Sequence, residues 1–275
     1  MAHATRVPAT PLAGRRILVT RPRDQAAGLI SRLRELGAEP MEFPTIRIDP
    51  PADYGPLDRA IARLSDYRWV IFTSRNGVRA FFRRVEETGA DAGPLRSARL
   101  AAIGPETAAA LERRGFRVDF APGEFRAEAL VEGFGRLGVA GARILLARAE
   151  RARDVLPEGL RSLGAEVDVV AVYRTVPEAA DPRPVMEMLE AKGLHALTFT
   201  SSSTVAHFAR ALPVESLRPH LDGVVVACIG PVTAQTAQRL GLRVDVVARE
   251  YTAAGLVEAL VDAFTTGAGA SRLPA

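Results

Sequence analysis

Short apolar runs alternate with longer amphipathic stretches along most of the chain. The runs at 16–20, 69–73, 99–103, 117–121, 142–147, 196–200, 224–229 and 243–248 are apolar at nearly every position, not at every second one. A strand with one wet face alternates, whereas a parallel strand covered on both faces does not. The stretches at 24–36, 55–64, 76–87, 105–114, 127–137, 152–163, 184–191, 203–211, 231–240 and 253–264 have helical length and an apolar stripe. Strand and helix in alternation, with short connections, predict an α/β fold of doubly wound parallel sheets.

The pattern repeats. Arg16-Ile17-Leu18 recurs as Arg143-Ile144-Leu145, and Leu36-Gly37-Ala38-Glu39 recurs as Leu163-Gly164-Ala165-Glu166, an offset of 127. Phe72-Thr73-Ser74 returns as Phe199-Thr200-Ser201. After a slip to 126, Ile103-Gly104-Pro105 returns as Ile229-Gly230-Pro231. A unit of roughly 125 residues is one domain, far too long for a solenoid repeat. Internal duplication of a five-stranded unit is the simplest account. Segments 39–49 and 166–175 are equivalent, β-rich and followed by proline-containing loops. They read as paired strands that carry the chain between two domains.

Composition changes little in this picture. The 275 residues are 48% hydrophobic and 25% charged, an ordinary globular balance that excludes a largely disordered chain. Lys192 is the only lysine, so the net charge of +4 comes almost wholly from arginine. Such a charge fits solvated helix faces, or a field that attracts a polyanion, either nucleic acid or a small polycarboxylate. Cys228 lies inside an apolar run and reads as a buried structural thiol; a chain with one cysteine has no internal disulfide and fits a reducing compartment. His3, His195, His207 and His220 lack paired metal-ligand spacing. No apolar stretch reaches the roughly 20 residues of a membrane span. Residues 1–13 are small and proline-rich and read as a disordered leader; 267–275 read as a disordered tail.

Candidate chemistry collects where strands end and helices begin, the edge at which open α/β sheets bind ligands. Gly104-Pro105-Glu106-Thr107 and Gly230-Pro231-Val232-Thr233 each follow a strand and open a helix. Proline suits the first helical position, and free N–H groups there favour an anion. A strand-to-helix turn without a ligand reads equally well. Thr73-Ser74-Arg75-Asn76 and Thr200-Ser201-Ser202-Ser203 occupy the same kind of place. Helix capping by Asn76 or Ser203 would explain them, and a capped helix still presents backbone donors. Neither segment is a phosphate loop or a dinucleotide fingerprint. Tyr173 breaks the symmetry, since the equivalent position in the first copy is Ile46. A phenol on one strand only is a natural site-specific proton donor, protonated at neutral pH. It is also an ordinary strand aromatic. No Ser-His-Asp, Cys-His or close carboxylate pair is evident. That suits a reactive substrate needing positioning and charge placement more than an activated nucleophile.

Taken together, Ile17-Leu18-Val19-Thr20-Arg21-Pro22, Phe72-Thr73-Ser74-Arg75-Asn76-Gly77-Val78, Ile103-Gly104-Pro105, Val172-Tyr173-Arg174-Thr175 and Ile229-Gly230-Pro231-Val232-Thr233-Ala234 resemble the uroporphyrinogen-III synthase family. The resemblance runs from about Gly14 to Phe264. It implies two flavodoxin-like, doubly wound domains joined by a two-strand linker at about 42–49 and 168–175. Domain 1 would be discontinuous, 14–49 plus 176–266, and domain 2 would be 50–175; the repeat alone equally permits cuts near residue 140. It implies a cyclising hydro-lyase that closes hydroxymethylbilane, a linear tetrapyrrole with eight carboxylates, into uroporphyrinogen III. Tyr173 would assist departure of the hydroxyl. Thr20, Arg21, Ser74, Arg75, Asn76, Gly104, Thr107, Ser201, Ser203, Gly230 and Thr233 would surround the substrate. It further implies a cytoplasmic monomer without metal or cofactor, no nucleic-acid or membrane partner, transient contact with hydroxymethylbilane synthase, and no fused methyltransferase domain. The competing readings are a non-enzymatic two-domain protein that binds a small polyanion, and a nucleotide-dependent enzyme, against which the missing phosphate motifs count.

Overall fold

The computed structural model describes residues 10–266. In chain order the elements are β1 (Arg16–Val19), α1 (Arg23–Glu35), β2 (Glu39–Glu42), β3 (Ile46–Asp49), α2 (Gly55–Ala62), β4 (Trp69–Phe72), α3 (Arg75–Thr88), β5 (Arg99–Ala102), α4 (Pro105–Glu112) and α5 (Ala127–Leu137). Then follow β6 (Arg143–Ala149), α6 (Val155–Ser162), β7 (Glu166–Pro177), α7 (Arg183–Glu190), β8 (Ala196–Phe199), α8 (Ser202–Ala211), α9 (Val214–Leu217), β9 (Val225–Cys228), α10 (Pro231–Arg239), β10 (Val246–Val247) and α11 (Ala253–Thr265). The described chain forms two compact units. One runs to Arg47 and resumes at Val176; the other is Ile48–Thr175.

Each unit is built on a five-stranded sheet whose strands β10, β9, β8, β1 and β2 in the first unit, and β7, β6, β4 and β5 in the second, pair in parallel. The orders are β10-β9-β8-β1-β2 in the first unit and β3-β7-β6-β4-β5 in the second. Strands equivalent by the repeat stand in equivalent places: β2-β1-β8-β9 in one sheet matches β7-β6-β4-β5 in the other.

The uninterrupted apolar runs have a direct cause. Along β4, Val70 and Phe72 enter one core while Trp69 and Ile71 enter the core on the opposite face. Along β8, Leu197 and Phe199 face one core of the first unit and Ala196 the other. Side chains still alternate, but both faces are covered by helices, so both must be apolar. Each of the four core clusters draws its buried residues from one unit alone.

Several expected boundaries change, each for a local reason. The expected strand 117–121 is reduced to a single bridge between Ala101 and Phe120. The Asp119 carboxylate takes the Leu100 N–H at 2.9 Å, so a side chain occupies a donor that a strand would have paired. Asp245 treats the Val226 N–H the same way at 2.9 Å, and β10 keeps only two of the six expected residues. Helix α6 starts at Val155, not 152. Arg148 binds the Arg153 carbonyl and the Asp154 carboxylate, at 2.9 and 2.7 Å, and holds that stretch as a turn. The segment 39–49 is two strands rather than one: β2 lies in the first sheet and β3 in the second. Of the expected leader 1–13, residues 1–9 lie outside the described residues, as does the expected tail 267–275. Within 10–13, Pro11 is half-buried, while Thr10 and Ala13 are exposed. Leu12 is fully buried in the core under α1, and its N–H donates to the Leu36 carbonyl.

Candidate active site

The parallel strands of each sheet end at one shared edge, the carboxyl edge, where loops meet helix starts. In the second unit, β4 leads into Ser74, which caps α3. Its Oγ accepts the Gly77 N–H at 3.0 Å. The cap is therefore Ser74, not the Asn76 expected from sequence, because the helix begins at Arg75 and Asn76 is already in its first turn. The Ser74 hydroxyl also lies 3.0 Å from the Tyr173 hydroxyl, and either can donate.

A bulge makes that contact. Arg148 pairs with Ala171 in β7, but the next residue, Ala149, pairs with Tyr173, so β7 holds one extra residue there. Strict alternation would put Val170 and Val172 on one face and Tyr173 on the other. Instead Tyr173 joins Val170 and Val172 in the core against α3. Bulges re-aim side chains in this way. Tyr173 is 8% exposed, and burial pushes its phenol above the ordinary tyrosine value, with the Ser74 hydrogen bond a smaller opposing effect. The phenol therefore keeps its proton through neutral pH.

Beside it, β5 leads through Gly104 into α4. Gly104 has φ +86, which an L side chain rarely adopts. Pro105 is the first helical residue and Thr107 is buried in the first turn. Arg75 and Glu106 join the starts of α3 and α4 through a 3.2 Å ion pair. The pair offsets the negative charge that Glu106 places where an anion would bind.

The first unit repeats the arrangement with different chemistry. Ser201 caps α8 in a full capping box with Thr204, so here too the cap is two residues before the expected Ser203. Gly230 precedes Pro231 and α10 with extended backbone, φ −175, and Thr233 is buried in the first turn. Ser202 occupies the position equivalent to Arg75. Its hydroxyl donates to the Val232 carbonyl at 3.2 Å, so a neutral tie replaces the ion pair. Thr20 directly follows β1 and is fully buried. Its hydroxyl donates to the Thr198 carbonyl at 2.7 Å, which occupies it in joining β1 to β8. Arg21 follows at the carboxyl edge, just ahead of α1.

The structure thus brings Ser74, Arg75, Asn76, Gly104, Thr107 and Tyr173 to the carboxyl edge of the second unit. It brings Thr20, Arg21, Ser201, Ser203, Gly230 and Thr233 to the same edge of the first. Cys228 is fully buried, and desolvation pushes its thiol up to about 12, so it is not an available nucleophile. Among the described residues, no three His, Cys, Asp or Glu side chains gather as a donor set for a metal ion. No helix among them is long and apolar enough to cross a membrane.

Residues 27–258 match the family model described as uroporphyrinogen-III synthase HemD. A uroporphyrinogen-III synthase from Synechococcus elongatus is 37% identical over 254 residues, covering 91% of this chain and 96% of that protein. Among solved structures, a mutant uroporphyrinogen III synthase from Thermus thermophilus aligns with a TM-score of 0.67 at 21% identity, covering 92% of this chain and 99% of that one. The uroporphyrinogen-III synthetase of Helicobacter pylori aligns with a TM-score of 0.57 at 17% identity, covering 90% and 98%. These two structures share the fold of this chain. With the family model spanning most of its length, the chain belongs to the uroporphyrinogen-III synthase family.

Proposed function

We propose that the chain closes hydroxymethylbilane into uroporphyrinogen III, with loss of water and inversion of ring D, and that Tyr173 is its proton donor. The observation that carries the catalytic role is the Ser74–Tyr173 contact of 3.0 Å at the end of the bulged strand. A pyrrole nitrogen pushes electrons toward the terminal carbon, and the C–O bond breaks. The phenol proton goes to the departing oxygen, which leaves as water. The far pyrrole attacks the resulting electrophile and forms a spiro intermediate. Fragmentation and re-closure invert the last ring, and the proton lost as that ring regains aromaticity returns to the phenolate.

The starts of α3 and α4, and separately those of α8 and α10, each offer backbone N–H groups to carboxylates. Thr107 and Thr233 flank those starts, Arg21 adds positive charge, and Arg75 cancels the negative charge of Glu106. Backbone donors tolerate side-chain change, which fits a site whose two copies differ at Arg75 and Ser202. The substrate supplies its own leaving group and electron-rich rings, so positioning is the main task and neither metal nor cofactor takes part. We further propose that the protein acts as a cytoplasmic monomer that takes its substrate through transient contact with hydroxymethylbilane synthase. The matching strand order and the repeated sequence support duplication of one ancestral unit.

The test is an isomer-resolved assay on freshly made hydroxymethylbilane, run on the parent chain and on Tyr173→Phe. The parent is expected to form isomer III, and the variant to form it about 10²–10⁴-fold more slowly, the usual worth of general acid help. Its affinity for uroporphyrinogen III should hardly change. A variant with near-parental rate would reduce Tyr173 to a packing residue.

A further inference from the structure

Each carboxyl edge carries a large aromatic ring that the site described so far does not use. In the second unit, a methyl placed on Gly104 would meet Cβ and Cγ of Phe125 at 3.7 Å. In the first, a methyl on Gly230 would meet Cγ and Cδ1 of Tyr251 at 3.3 Å. Phe125 is 37% exposed and Tyr251 36%. Each immediately precedes a helix cap, Arg126 of α5 and Thr252 of α11. Their separation is 126, the same as that of Gly104 and Gly230, and both follow a glutamate, Glu124 and Glu250. One partly exposed aromatic is ordinary. Two at equivalent places, each lying on the glycine of a strand-to-helix turn, share a common cause.

That cause is the other half of the substrate. Backbone amides bind carboxylates but leave the flat pyrrole ring from which those arms project. A ring face needs an apolar, planar neighbour to exclude water, and an aromatic side chain provides it in offset or edge-on contact. Glycine at 104 and 230 lets the aromatic lie close over the helix start. We propose that Phe125 and Tyr251 are substrate-contacting residues, each walling a pyrrole ring whose carboxylate arms reach the adjoining helix start.

This inference rests on the proposed function, and the experiment separates the two. Phe125→Ala, Tyr251→Ala, Phe125→Leu and Tyr251→Leu are compared with the parent for KM and kcat with hydroxymethylbilane, affinity for uroporphyrinogen III, and melting temperature. Each alanine variant is expected to raise KM and weaken product binding about five- to tenfold, with a much smaller change in kcat. The leucine variants keep apolar bulk over the glycine but lack a flat face. They should weaken binding at least threefold while keeping the parental melting temperature. Tyr251→Phe keeps the face and should cost less than Tyr251→Leu. Folded leucine variants with KM and product affinity within twofold of the parent would overturn the inference, whether or not the alanine variants fold. A parent chain that forms no isomer III would instead overturn the proposed function itself.

Discussion

Tyr173 faces Ser74 because β7 holds one more residue than its neighbour opposite Arg148 and Ala149. The asymmetry that singles out Tyr173, Ile46 in the other copy, is written in the sequence. The bulge is not, because an inserted residue leaves the apolar pattern of a doubly covered strand unchanged. The caps show a similar limit: serines and an asparagine within three residues all suit a helix start, and only the first turn's geometry selects Ser74 and Ser201. Ser74 serves both as cap and as partner of the phenol. Ser74→Ala should therefore lower stability by about 1 kcal/mol and slow isomer III formation, though less than Tyr173→Phe, since the donor itself remains. Thermal unfolding and the isomer-resolved rate measure the two effects separately. Burial raises the Tyr173 phenol above its usual value near 10, so the native state favours the protonated form. Its contribution to stability is full below the unfolded value and is lost as pH rises through the raised native value. A pH–rate profile should accordingly show no loss of activity from this group below about pH 10; a falling limb near neutrality that disappears in Tyr173→Phe would contradict that.

At the scale of elements, the two Gly-Pro turns look alike in sequence and differ in backbone. Gly104 has φ +86, whereas Gly230 is extended at −175. Gly104→Ala should cost about 1–3 kcal/mol of backbone strain. Gly230→Ala carries no such strain, and the nearest atoms its new methyl meets are those of the Tyr251 ring, at 3.3 Å. Melting curves of the two variants should separate by about 2–4 °C for each kcal/mol, with Gly104→Ala the lower; equal losses would remove the distinction. Most helices and central strands were legible because their apolar stripes and runs are long. The fifth strand of each copy was not, because Asp119 and Asp245 place a carboxylate where backbone pairing was expected. An aspartate inside an apolar run is the signal that marks the loss.

For the whole molecule, the recurring segments of the sequence allow the chain to be cut near residue 140. The cores give a different division, since each cluster stays within one unit and the second unit is continuous from Ile48 to Thr175. A fragment spanning 46–177, which keeps β3 and β7 whole, should fold alone with a cooperative melt. A fragment with coil-like circular dichroism would show that its cores need the rest of the chain. Sedimentation of the full chain should give a single species near its 29.4 kDa monomer mass. The phenol, the helix-start amides and the two aromatic walls all serve one proposal, that this chain alone directs ring closure. The most direct measurement supplies the chelator-treated, desalted protein with hydroxymethylbilane and resolves the product isomers over time. Isomer III is expected, formed faster than spontaneous closure yields isomer I. Isomer I alone at the spontaneous rate, or isomer III only after a metal or a second protein is added, would contradict the proposal.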